Sequence, residues 1–232
     1  MAQLKPKWPP FTNNIKGLAI VLFTLWFVSV MVAPVGDFIN RYMLVSQVAV
    51  IQDFQIWTLA TYSLWHADFM HLLFNVAVLW LFGGELDARW SAKKWWSFNA
   101  ACAVGGGVAV VVSQFVFQTF HPTLGYSGAV MGVVAAFAWQ NWDRTIYLFF
   151  FPMKGKVLLL VFVAFDILFV VVGREPISIA AHLGGMLTGL LIASGWWRPK
   201  RWKLAYSRYR HKKHREQFKL ITKDPESDKY LN

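Results

Sequence analysis

The sequence predicts an all-α, polytopic membrane protein: a bundle of six transmembrane helices. Of its 232 residues, 56% are hydrophobic, above the roughly 45–50% usual in soluble domains. Residues 17–40 carry a single charge, Asp37, and residues 95–142 carry none. A soluble core does not supply so long an uncharged stretch, whereas two spans joined by a tight uncharged loop do.

Apolar runs place the spans at about 17–35, 69–82, 96–117, 127–142, 157–173 and 177–197. They form a core over 17–197, flanked by an N-terminal tail (1–16) and a basic C-terminal tail (198–232), with no internal repeat. The opening MAQLKPKWPPFTNNIK does not read as a cleavable signal: the apolar run after it is long enough to span, and no small-residue cleavage site stands out. Net charge is +11, and 12 of the 23 Lys and Arg residues follow Trp197. A basic block directly after a span fits anionic lipid headgroups; no recognition motif accompanies it, so nucleic acid is not an expected partner. The single cysteine, Cys102, excludes an intrachain disulfide and speaks against a cysteine-ligated metal. It reads as a buried apolar residue.

Orientation follows from the Lys and Arg count. With the N-terminus inside, the cytoplasmic segments hold 21 of these residues and the outer loops only Arg41 and Arg174. Both termini are therefore expected in the cytoplasm, the setting being a bacterial inner membrane. Even-numbered spans then begin on the outer side, which brings His71, Ser127 and His182 to one depth in the outer half of the bilayer. Polar groups at that depth are costly and default to a functional reading. The fourth span is short: sixteen residues at about 1.5 Å rise cover roughly 24 Å, against a hydrocarbon core of about 30 Å. The loop before Ser127 is expected to dip inward, with protein or water satisfying its backbone.

Gly125-Tyr126-Ser127-Gly128 is the strongest local signal. The glycines permit a tight turn and close approach, and a serine opening a helix has free backbone N–H groups and the positive end of the helix dipole around it. Such a site suits an oxyanion formed at that serine; the motif alone fits a packing serine equally well. A base is offered by His182, in Ala181-His182-Leu183-Gly184-Gly185. Gly185 and Gly189 form a small-residue face that matches Gly128 and Gly132 on the fourth span, and packing the two would bring hydroxyl and imidazole together. A buried structural histidine also fits. By the same logic Gly185→Val should be damaging and Gly185→Ala far milder. His71 and Asn75, four apart, share a helical face and suit oxyanion donation; His66 points elsewhere and reads as a loop anchor. HExxH is absent and no carboxylate sits at matching spacing, so no metal site is expected. Asp166, mid-way along the fifth span, is a functional candidate by default, but its spacing does not place it against His182, and a structural hydrogen bond within the bundle is the preferred reading. His121 reads as an outer loop residue.

Three blocks in this order resemble the rhomboid intramembrane proteases: HAxxxHxxxN at His66, Ala67, His71 and Asn75; GxSG at Gly125, Ser127 and Gly128; and AHxxGxxxG at Ala181, His182, Gly185 and Gly189. The resemblance covers about residues 17–197. It implies a serine endopeptidase with a Ser127–His182 dyad and no acidic third member, no cofactor, and an oxyanion held by His71, Asn75 and the Ser127 N–H. It also implies substrates that are single-span membrane proteins, cut near the outer face. Two positions depart from the family pattern. Trp57-Thr58 stands where many bacterial relatives have Trp-Arg, and Met131 stands where some place a tyrosine against the histidine. The alternative is a catalytically silent rhomboid-like protein serving membrane binding or quality control, expected to lack the serine or the histidine; both are present here.

Overall fold

The computed structural model describes residues 8–148, 151–171, 179–196, 198, 206–207, 209–211 and 213. Arg174, the limit at 197 and most of the basic tail lie outside the described residues. The chain divides into two units, Met1–Ser194 and Gly195–Asn232; the first of them holds every helix and strand named below.

In chain order the elements are α1 (Asn13–Met31), α2 (Ala33–Tyr42), α3 (Thr58–Thr61), α4 (Phe69–Asp87), α5 (Ala92–Phe117), α6 (Ser127–Gln140), a hairpin of β1 (Thr145–Leu148) and β2 (Phe151–Lys154), α7 (Gly155–Val171) and α8 (Ile179–Ser194). Each of the six predicted spans has its helix: α1, α4, α5, α6, α7 and α8. Helices α1, α4 and α5 are long and apolar enough to cross a membrane; α6 and α8 are apolar but shorter.

Helix boundaries follow from local chemistry. The Thr12 side chain caps α1, that of Asp68 caps α4 and that of Ser91 caps α5, each accepting a first-turn N–H, which satisfies a donor the helix leaves free. Helix α6 stops at Gln140, two residues short of the predicted limit, because the Asn141 side chain turns back to donate to the Phe137 carbonyl (2.9 Å). The connection to α7 is the antiparallel β1–β2 hairpin, Thr145 opposite Lys154 and Leu148 opposite Phe151. This hairpin is an addition to the helical architecture.

Helix α6 is the centre of the bundle. Every residue from Gly128 to Ala138 is buried, and α4, α5, α7 and α8 all pack against it, with α1 on the far side of α4. Large apolar side chains are exposed instead on the outer faces: Phe23 and Phe27 on α1, Val108 and Val112 on α5, Leu160 and Phe165 on α7, Leu187 and Leu191 on α8. Exposed apolar surface of that extent does not face water in a soluble monomer; with the central helix sealed off, it is the lipid-facing surface of an integral membrane protein.

Candidate active site

Fourteen residues make α6 about 21 Å long, so it cannot cross a hydrocarbon core of about 30 Å. The loop ahead of it is correspondingly drawn in and held by protein. Val45 and Thr123 exchange backbone hydrogen bonds (3.1 and 2.8 Å), and the Gly125 N–H donates to the Tyr62 carbonyl (3.0 Å). The Gln114 side chain accepts from the Gln47 N–H (2.8 Å) and donates to the His121 carbonyl (2.6 Å). Non-helical backbone at membrane depth is tolerated only where such partners exist.

The Tyr126 N–H donates to His66 Nε2 (3.4 Å) and its hydroxyl to Asn99 Oδ1 (3.1 Å). His66 is thus an anchor for the loop, as its position off the His71 face predicts. Burial, helped by the neighbouring His71 ring, pushes the His66 imidazole down to about 3; it stays neutral, with the proton on Nδ1. The two rings meet edge to face at 5.1 Å. The segment carrying Tyr62 is itself ordered, a short α3 continued by a 3₁₀ turn, Tyr62–Leu64. At the Trp57-Thr58 departure, Trp57 Nε1 donates to the Tyr42 carbonyl (2.7 Å) and the buried Thr58 hydroxyl to the Gln55 carbonyl (2.6 Å); local bonds close this loop.

Gly125 has φ +121°, a conformation open to glycine, and a Cβ there would stand 2.8 Å from His71 Nε2 and 3.7 Å from Ser127 Oγ. His71 and Ser127 therefore line one gap, which glycine keeps open. Ser127 begins α6, and no side chain caps that helix. The first helical bond is made by the Val130 N–H to the Tyr126 carbonyl, and the N–H groups of Ser127, Gly128 and Ala129 have no partner among the described residues. Asn75, one turn along α4 from His71, is 6% exposed, and its Nδ2 has no partner among the described residues.

Helices α6 and α8 touch backbone to backbone. A Cβ on Gly185 would collide with the Gly128 carbonyl oxygen, and one on Gly189 would stand 2.7 Å from the Gly132 Cα. Gly132 is itself wedged between Cys102 and the Gly185 carbonyl. The two small-residue faces meet as their spacing predicts. The expectation that Gly185→Ala is mild is corrected by this contact: the obstacle is backbone, which a methyl group cannot push aside. At the site end, a Cβ on Gly128 would stand 3.1 Å from the Ala181 carbonyl oxygen. The residue after Ser127 thus faces the residue before His182. No hydrogen bond joins Ser127 to His182 among the described residues; such bonds are often long without substrate and tighten with it.

His182 Nδ1 lies 2.8 Å from Asp166 Oδ1. The spacing of Asp166 within its own span does not reveal this partner, because the pair is made across two antiparallel helices; the hydrogen bond within the bundle expected for Asp166 is made to the residue its spacing did not indicate, His182. Met131 sits with Ala135, Met186, Leu159 and Phe162 in an apolar cluster between α6, α7 and α8. Tyr62 and Asn99 also escaped the sequence reading, since nothing in their local pattern marks them as supports of the Gly125-Tyr126 turn.

Fold and geometry together define a helical integral membrane protein whose central, shortened helix begins at a serine flanked by histidine-bearing helices. A family model described as the rhomboid domain matches residues 53–199, and the chain belongs to the rhomboid family. It is 29% identical over 203 residues to "Rhomboid protein 1, mitochondrial" of Saccharomyces cerevisiae, a match covering 82% of this chain and 56% of that protein. It is 27% identical over 195 residues to "Rhomboid protease GlpG" of Yersinia pestis and of Serratia proteamaculans, covering 82% of this chain and 64% of each. The chain thus spans less than two thirds of the length of these relatives.

Proposed function

We propose that this protein is an intramembrane serine endopeptidase that hydrolyses peptide bonds in or near the transmembrane segments of single-span membrane proteins. The observation that supports the reading is the meeting of α6 and α8 backbone to backbone, with Gly128, next to Ser127, against Ala181, next to His182. The names of the relatives, two of them rhomboid proteases, support it. Ser127 Oγ attacks the peptide carbonyl carbon as its proton passes to His182 Nε2; the carbonyl electron pair moves onto oxygen. When the C–N bond breaks, that proton goes to the leaving amine. Water then repeats the sequence on the acyl-enzyme with His182 again as base. The oxyanion would be held by the Ser127 N–H, His71 and the Asn75 Nδ2, which has no partner among the described residues.

The charge count favours both termini in the cytoplasm of a bacterial inner membrane, with cleavage on the opposite side, and anionic headgroups as partners of the basic tail. The test is cleavage of a single-span reporter by the purified chain in liposomes. Wild-type protein should release fragments and Ser127→Ala protein none; equal fragment release by both would overturn the proposal, and release by neither would favour the catalytically silent reading.

Asn75→Ala should lower kcat by about 10²–10³-fold, the usual effect of losing one oxyanion donor. Its thermal midpoint should hold or rise, because the buried Nδ2 has no partner among the described residues and an unsatisfied buried donor is destabilising. Rate assays beside melting curves check this. Wild-type turnover in the variant would reduce Asn75 to packing.

A further inference from the structure

Asp166 belongs to a class of residue that membranes tolerate poorly. It lies within α7, is 7% exposed, and an intramembrane carboxylate without a partner is costly. Among the described residues it has one partner, Nδ1 of His182, at 2.8 Å, while its other oxygen, Oδ2, is buried and unbonded. A carboxylate retained for structure would be expected to use both oxygens to tie helices together. Among the described residues its one bond goes to a single imidazole nitrogen. Its consequence for that ring is specific: an ionised carboxylate only accepts, so Nδ1 must carry the proton and Nε2 is left as the acceptor. No aromatic ring stacks on His182 among the described residues, and the contact its ring makes is the one to Asp166. The orientation of the imidazole therefore falls to Asp166.

We infer that Asp166 is a positioning residue that completes a Ser127–His182–Asp166 triad, holding His182 in the Nδ1–H tautomer so that Nε2 can take the Ser127 proton. The inference rests on the endopeptidase reading above and adds an acid to the dyad. When Ser127 Oγ bonds to the substrate carbon and its proton reaches Nε2, the imidazolium that forms sits against the carboxylate. The proton taken from Ser127 stays on the imidazolium and is not passed on to Asp166. The proton on Nε2 leaves with the amine, and the ring returns to the same tautomer.

The first measurement needs no activity: ¹⁵N-histidine NMR of full-length Ser127→Ala protein in lipid discs, reading which nitrogen of His182 is protonated. The expected result is the Nδ1–H form, lost or mixed with the other tautomer in Ser127→Ala/Asp166→Asn. A His182 protonated on Nε2 beside an intact Asp166 overturns the inference, whatever the variants do. The second is kinetic, with the single-span reporter in liposomes. Asp166→Asn should lower kcat by about 10²–10⁴-fold, in the range seen when a triad carboxylate is removed, with KM and thermal midpoint held. Asp166→Glu, which keeps the carboxylate, should recover part of the loss. Activity in Asp166→Asn equal to wild type overturns the triad while leaving the endopeptidase reading intact, and activity that falls only in step with the melting temperature does the same. A wild-type protein without Ser127-dependent cleavage overturns the endopeptidase reading and the triad with it.

Discussion

Ser127→Ala is expected to lower the cleavage rate by about 10⁶-fold, His182→Ala by nearly as much, and the double variant by no more than either alone. Groups that act as one unit are grossly non-additive: without the base the hydroxyl is a poor nucleophile, and without the hydroxyl the base has no proton to take. The residual rate would come from the oxyanion donors and from substrate positioning. Neither substitution should unfold the chain, although His182→Ala removes the partner of the buried Asp166 carboxylate and should lower the melting temperature. Ser127 is partly exposed in the gap beside His71, and the Gly128–Gly185 contact that holds α6 to α8 involves neither side chain. A rate cycle over the four proteins, with melting curves alongside, checks this. Additive losses would mean that the two residues contribute independently and that no dyad exists.

Gly185→Ala is expected to cost at least about 10² in rate and to lower the melting temperature, with Gly185→Val worse on both counts. The atoms a new Cβ would meet are the Gly128 oxygen, carbon and Cα, the latter two at 2.6 and 3.0 Å. All are main chain, so relief requires α6 and α8 to separate. Gly128 is the residue after Ser127, and the same separation moves His182 away from the hydroxyl; ångström-scale misplacement of reacting groups is worth about 10²-fold. Helix association in membranes depends on close backbone approach and side-chain packing rather than on a hydrophobic driving force, so there is little to compensate. Gly17→Ala, where an added Cβ meets nothing within 4 Å, serves as the neutral control. Full activity in Gly185→Ala would mean that the two helices are not seated as described.

These contacts show what the sequence could and could not carry. The paired faces Gly128/Gly132 and Gly185/Gly189 were legible because a four-residue spacing of small side chains states a helix contact outright, and the six spans were legible from uncharged runs. The severity of Gly185→Ala was not, since spacing says that two helices approach and not how closely. Asp166 was visible as an intramembrane carboxylate, but its bond to His182 joins two helices 16 residues apart in sequence, and within-helix periodicity is blind to that. Asp166 lies seven residues before the predicted end of its span at 173, and His182 five after the predicted start of the next at 177, a signal of similar depth that goes unused when each helix is read alone. The support for the Gly125-Tyr126 turn came from Tyr62, His66 and Asn99, and that for the loop ahead of it from Gln114. Only His66 announced itself, through its motif. The β1–β2 hairpin escaped because its apolar run, with Pro152 inside it, carries no alternation to separate it from a plain connection.

The central claim, that Ser127 is a nucleophile activated by His182, is tested most directly by a fluorophosphonate probe, which bonds covalently to an activated serine hydroxyl. The chain, reconstituted in liposomes, is treated with the probe and digested, and the adduct is located by peptide mass. The account predicts one adduct, on Ser127, absent from His182→Ala protein. An unlabelled Ser127 in protein that still cleaves its reporter, or equal labelling with and without His182, would contradict it.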